Sequence, residues 1–230
     1  MAPSFEILAY DDTPLGPLCL RRRELLSRPG TVVTEVTLNH EFLMSSYITD
    51  SERALSRVAL GLHRGSQLDV LVGGLGLGYT AFEALASDRV ARVEVVELLS
   101  QVMGWLNDDL IPLAAQLKGD PRLLVTAADV YALLAQPPQR THDLVLIDVD
   151  HSPDERLGGA SAAFYTRDGL LRAKEHLKPG GILGVWSYAE HSDFASALRA
   201  VFRHVHVESV TVLNDLVDEM QTDWLFFARD

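Results

Sequence analysis

An apolar strand that runs into a glycine-rich turn and out into a helix constrains this chain more than any other feature. Leu68 to Gly74 reads LDVLVGG, and Val72-Gly73-Gly74-Leu75-Gly76-Leu77-Gly78-Tyr79 ends that strand and opens the helix. Glycines allow the tight turn and let a ligand lie against bare backbone. The free amides of the helix start favour an anionic or polar ligand edge.

The rest of the chain repeats the strand and helix alternation. ARVEVVE is a second strand, followed by a helical stretch from Ser100 to about Leu117. RLLVTA is a third, with a short helix after Asp129, and HDLVLID is a fourth. A loop rich in Gly, Asp and Ser leads to a helix over Phe164 to Leu177, ended by Lys178-Pro179-Gly180-Gly181. GILGVWS is the fifth strand, Asp193 to Val201 is helical, and HVHVESV and DWLFFAR close the chain, the last expected antiparallel. Fully apolar strands need cover on both faces, so the expected fold is α/β: a Rossmann-like, doubly wound, mostly parallel seven-stranded sheet.

The first 48 residues differ. FEILAY, GPLCLRR and TVVTEVTL are β-prone runs punctuated by Thr13-Pro14-Leu15-Gly16 and Arg28-Pro29-Gly30, which predicts a small β-rich appendage ahead of a catalytic domain over 49–230. Thr49 and Glu52 have capping-box spacing before a helix whose apolar positions are Ala54, Leu55, Val58, Ala59 and Leu62. The apolar fraction of 47% is enough for a buried core, and one cysteine, Cys19, excludes an internal disulfide and argues against a cysteine metal site. No metal is expected. With no signal-like start and no long apolar run, a cytoplasmic protein without membrane contact is expected. The formal net charge of −12 argues against nucleic acid and would attract a cationic amine.

Candidate ligand contacts follow from this frame. Gly73, Gly74, Leu75, Gly76 and Gly78 form the turn. Glu97 closes the second strand 19 residues after Gly78, where a carboxylate can accept from both ribose hydroxyls, with Leu98 beside it. Asp129, preceded by Ala128, either accepts from an adenine amino group or caps the following helix, and the two roles can coexist. Glycines two apart at Gly74, Gly76 and Gly78 depart from the dinucleotide spacing, and no Gly-Lys-Ser/Thr marks a phosphate loop. A nucleoside-type ligand rather than a dinucleotide is therefore expected.

The order VLVGGLGLGY, VEVVE, TAAD, HDLVLID, FY and LKPGGIL resembles the spermidine synthase-like branch of the class I S-adenosylmethionine-dependent methyltransferase superfamily. The match runs over about 65–190, and the β-rich N-terminus suits the same branch. The resemblance implies that Glu97 holds the ribose, Asp129 the adenine edge, and Asp148 serves as the catalytic acid at the end of the fourth strand. It also implies S-adenosylmethionine or its decarboxylated form as the cofactor and, with the β-rich appendage, a homodimer. Three positions depart from that branch. The loop reads Asp148-Val149-Asp150-His151-Ser152-Pro153 where Asp-Ser-Ser-Asp-Pro is usual, Gly76 stands where an Asp holds the donor amine, and Ser51-Glu52-Arg53 aligns with a Tyr-His-Glu or Tyr-Gln-Glu element.

An amine acceptor must lose a proton before it attacks a sulfonium, so a carboxylate or imidazole is needed beside it. Asp148, Asp150 and His151 lie where such a sheet presents its ligand crevice. His40, Met44 and Tyr47 before the first core helix, and Trp186 and Tyr188 at the end of the fifth strand, are candidates for the acceptor pocket. His204 and His206 read as structural. The three departures put methyl transfer to a small molecule first. Aminopropyl transfer to a polyamine stands second, and a non-catalytic adenosyl-binding module third.

Overall fold

The structure is a computed structural model that describes residues 5–149, 159–216 and 218–230. Four antiparallel strands, β1 (Phe5–Thr13), β2 (Gly16–Glu24), β3 (Val32–Leu38) and β4 (Glu41–Ser45), form a meander in chain order. Helix α1 (Asp50–Leu62) follows and leads into the second sheet.

That sheet alternates β5 (Leu68–Gly73), α2 (Tyr79–Leu85), β6 (Val90–Glu97), α3 (Ser100–Asn107), α4 (Ala114–Gly119), β7 (Leu123–Ala127), α5 (Val130–Leu134) and β8 (His142–Ile147). It continues through α6 (Gly159–Phe164), α7 (Arg167–Glu175), β9 (Leu177–Ser187), α8 (Ser192–Arg199), β10 (His204–Asn214) and β11 (Glu219–Arg229). The strand order is β10-β11-β9-β8-β5-β6-β7. Pairs among β5 to β9 are parallel, whereas β11 runs antiparallel between β9 and β10. The order reverses between β5 and β8, the switch point at which open α/β sheets bind ligands.

The central strands are buried on both faces because helices cover both. Val70, Val72, Val93, Val95, Leu144 and Leu146 belong to one core cluster. Leu71, Val96, Val145, Ile147, Leu183 and Val185 belong to the other, under α5, α7 and α8. The outer meander is not separate from this packing. Leu18, Leu20 and Val36 are buried in the first cluster with Leu55 and Ala59 of α1.

Several local expectations change. The stretch Asn39 to Tyr47, given no element from sequence, contains a strand, β4. The helix expected from Ser100 to Leu117 breaks into α3 and α4 around Asp109, which adopts φ 59°, and Pro112, which cannot donate to a helical hydrogen bond. The helix expected over Phe164 to Leu177 is shorter, α7 over Arg167–Glu175, because Phe164 ends α6 and Thr166 caps a new start by accepting from the Gly169 amide at 3.1 Å. Thr49 precedes α1 without a side-chain cap. Its hydroxyl accepts from Arg53 Nε instead, so the capping-box reading of Thr49 and Glu52 is corrected.

Candidate active site

Turn geometry at the end of β5 depends on close backbone approaches. Gly74 and Gly78 adopt φ 94° and 89°, values that side chains other than hydrogen rarely tolerate. A Cβ on Gly74 would lie 2.2 Å from the Asp148 carbonyl oxygen, and one on Gly78 would lie 2.4 Å from Leu117 Cδ1. The bare backbone therefore lets β5 and β8 end side by side, tied by the Asp148 amide donating to the Gly73 carbonyl at 2.8 Å.

Glu97 is 7% exposed at the end of β6. Its two oxygens accept from the amides of Leu75 and Leu99, each at 2.8 Å. Burial pushes its carboxyl up, and these amides, with those of Gly76 and Leu98, pull it back. Glu97 is thus the peg that fixes the glycine turn as well as a wall of the pocket beside it. Asp129 is the N-cap of α5, its Oδ1 accepting from Tyr131 at 2.8 Å and Ala132 at 3.2 Å, and it lines the same pocket. Gly74, Gly76, Leu98, Ala128 and Asp148 complete that wall. Gly73 lies beneath it against Val130, while Leu75 and Gly78 line a small extension toward α1.

A larger cavity of about 1010 Å³ opens between the two sheets. Met44, Tyr47, Trp186 and Tyr188 line it as the sequence suggests. His40 does not. It sits exposed in the β3–β4 turn at φ 68°, outside the lining, because that turn needs a left-handed residue. Asp150 and His151 lie outside the described residues.

The most informative residues at this cavity are ones that sequence reasoning passed over. Glu52, on the first turn of α1, and Asp223, near the start of β11, line it beside Asp148. Ser51 Oγ donates to Asp223 Oδ2 at 2.7 Å, and Thr80 Oγ1 lies in hydrogen-bond contact with Asp148 Oδ2. Burial and the neighbouring Asp148 charge push Glu52 up to about 8. Burial, opposed by the Thr80 hydrogen bond and aided by Asp223, pushes Asp148 up to about 6. Burial also raises Asp223. Arg53, next to Glu52 in the chain, is drawn away to Glu83 at 3.3 Å and over the Tyr79 ring. Among the described residues, none of the three carboxylates has an ion-pair partner, and no His, Cys, Asp or Glu cluster is arranged to hold a metal ion. This arrangement is primed for a cation.

One signal for these acids was present in the sequence. Asp223 opens the otherwise apolar run Trp224-Leu225-Phe226-Phe227, and a lone acid on a buried strand needs a reason. Glu52 gave no such signal, since an acid in the first turn of a helix is favourable in any protein.

The strand order, the glycine turn and the acid-lined crevice define a class I S-adenosylmethionine-dependent methyltransferase fold. Within that class the chain is spermidine synthase-like. Its fold matches that of a solved spermidine synthase in complex with the transition state analogue AdoDATO, with a TM-score of 0.75 at 18% identity over 96% of this chain and 73% of that one. In sequence it is 32% identical over 167 residues to polyamine aminopropyltransferase 2 of Pseudomonas aeruginosa, covering 68% of this chain and 47% of the relative. It is 24% identical over 145 residues to putrescine N-methyltransferase 2 of Nicotiana tabacum, covering 63% and 36%. The chain spans about half the length, or less, of these curated relatives. No protein-family model matches it.

Proposed function

We propose that this protein is an aminopropyltransferase that moves the aminopropyl group of decarboxylated S-adenosylmethionine to an amine. The observation that carries the reading is the group of three carboxylates, Glu52, Asp148 and Asp223, at the junction of the two pockets, none with an ion-pair partner among the described residues. Sequence reasoning put methyl transfer first and aminopropyl transfer second. The site and the more similar relatives favour the second.

The donors differ by one carboxylate. The full cofactor needs hydrogen-bond donors for it, and the turn has few to give. The Gly74 amide donates to Val96, Leu75 to Glu97 and Gly78 to Leu75, while Gly76 faces Glu97. A carboxylate placed beside Glu52 and Asp148 would meet like charge. A bare ammonium would meet the reverse. Gly76, where the branch has an acid, is compensated in space by Glu52 from α1.

The residues fit the adenosyl half. Glu97 and Asp129 present polar edges, and Val96, Ala128, Tyr131 and Val149 give an apolar slot for a base. In the reaction, the acceptor nitrogen's lone pair forms the new N–C bond. The C–S bond breaks, its electrons pass to sulfur, and the sulfonium leaves as a neutral thioether. The proton lost from the acceptor ammonium needs a base, and Asp148, raised toward neutrality, is suited to take it. Glu52 and Asp223 hold the cationic partners in line, which supplies much of the remaining acceleration. A homodimer in the cytoplasm is part of the same proposal, and exposed Phe5, Ile7 and Tyr10 on the outer edge strand β1 support the dimer.

Mass spectrometry after incubation with either donor and a set of amines tests the reading. Gain of an aminopropyl group from the decarboxylated donor is expected. Gain of a methyl group from the full cofactor alone would overturn it.

A further inference from the structure

We propose that the acceptor carries a carboxylate at the end remote from its reacting nitrogen, and that Arg21 and Arg23 of the outer sheet bind it. The inference rests on reading the large cavity as the amine-acceptor site, and it specifies the acceptor's chemical class.

Strand alternation puts Leu18 and Leu20 into the core and therefore places Arg21 and Arg23 together on the opposite face of β2. The register sets Arg21 directly opposite Glu35 of β3. Glu35, with its side chain 4% exposed, accepts from both guanidinium groups. Nε of each donates at 2.8 Å, and Nη2 lies at 2.8 Å for Arg21 and 2.7 Å for Arg23. Two cations share one anion, which leaves a net charge of +1. Nη1 of each arginine has no hydrogen bond among the described residues, and each side chain is 33% exposed.

Arg21, Arg23, Glu52 and Asp223 all line one cavity. One wall, from β2 and β3, is net positive. The other, from α1 and β11, is acidic. Among the described residues the other charged residue lining it, Glu41, is exposed. A plain diamine spanning this space would bring its second ammonium toward the positive end. An ω-amino acid would satisfy both ends, its ammonium on the acids and its carboxylate on a guanidinium face, the geometry that arginine reads best. Met44, Tyr47 and Trp186 line the same cavity and suit a methylene chain. The carboxylate plays no part in the displacement, which proceeds at the distal nitrogen as above.

The test compares 5-aminopentanoate with 1,5-diaminopentane. With decarboxylated S-adenosylmethionine as donor, the ratio of kcat/KM should favour the amino acid by about tenfold or more. Calorimetry on the protein saturated with methylthioadenosine should show the same preference in Kd, independent of turnover. Arg23→Gln leaves a neutral Arg21–Glu35 pair and should bring both ratios toward one. Arg23→Gln with Glu35→Gln restores a net charge of +1 on Arg21 and should restore the preference. Thermal melting checks that each variant folds, and if neither does, the wild-type ratios decide alone. A preference for the diamine, no binding of the amino acid to the wild type, or a preference unchanged in folded Arg23→Gln overturns the inference while leaving aminopropyl transfer intact. If no acceptor is turned over but calorimetry shows the Arg23-dependent preference, the proposed function falls and the anion site stands.

Discussion

Glu52 and Asp148 make the protein's chemistry testable one residue at a time. Both carboxyls sit above their unfolded range, so the folded state without ligand holds protons that the unfolded chain releases. Their contribution to stability is fully present at low pH. It is lost as pH rises through about 6 for Asp148 and about 8 for Glu52. The melting temperature of the ligand-free protein is therefore expected to fall between pH 5 and pH 8, and Glu52→Gln should flatten the upper part of that fall. A cationic ligand stabilises the charged form, so donor binding should raise the melting temperature more at pH 8 than at pH 6. At the chemical step, Asp148→Asn should lower kcat by about 10²–10⁴-fold, the usual range for losing a general base, while a calorimetric titration still detects donor uptake. Retained turnover in that variant would remove Asp148 from the reaction.

At the scale of the element, the turn after β5 combines a left-handed backbone with a crowded neighbourhood, and two glycines separate these effects. Gly30, in the β2–β3 connection, has φ 86° and nothing within 4 Å of an added Cβ. Gly30→Ala should cost only the left-handed penalty, about 1–2 kcal/mol. Gly74 has a similar φ, but its Cβ would strike the Asp148 carbonyl oxygen. Gly74→Ala should cost about 2–5 kcal/mol, adding overpacking to strain. Urea denaturation of the two variants measures the difference, and equal losses would contradict the close approach. The cap of α5 offers a milder case. Asp129→Ala removes an acceptor for two amides and should cost about 1 kcal/mol, apart from any effect on ligand.

At the scale of the whole molecule, the four-stranded outer sheet and the seven-stranded sheet share one core. Leu20 on β2 is fully buried in the cluster that includes Leu55, Val72 and Leu146. Leu20→Ala should therefore destabilise the protein by about 2–5 kcal/mol and leave a single melting transition in calorimetry. A separate early transition would mean that the outer sheet unfolds alone. This shared core also makes the large cavity possible, since the meander is held at the rim where it can supply Arg21, Arg23 and Met44, with Tyr47 just after it.

The seven-stranded sheet was legible in sequence because its central strands carry near-continuous apolar runs, and only burial on both faces tolerates that pattern. The glycine turn, Glu97 and Asp148 were legible for a related reason, because ligand crevices of such sheets lie at strand ends that hydropathy marks clearly. The breaks at Asp109 and Thr166 were less visible, since a helix can run through the same apolar period until one backbone angle or one cap stops it. The acid cluster was decided by tertiary structure alone. Glu52, Asp148 and Asp223 are far apart in sequence, and although Asp148 marks a strand end and Asp223 interrupts an apolar run, nothing in the chain says that the three meet. Packing α1 and β11 against the carboxyl end of the sheet removes them from water beside one another, and that proximity gives them a preference for a cation. Sequence alone determined which edge of the sheet carries chemistry. Three-dimensional proximity decided the charge of the group we propose it holds.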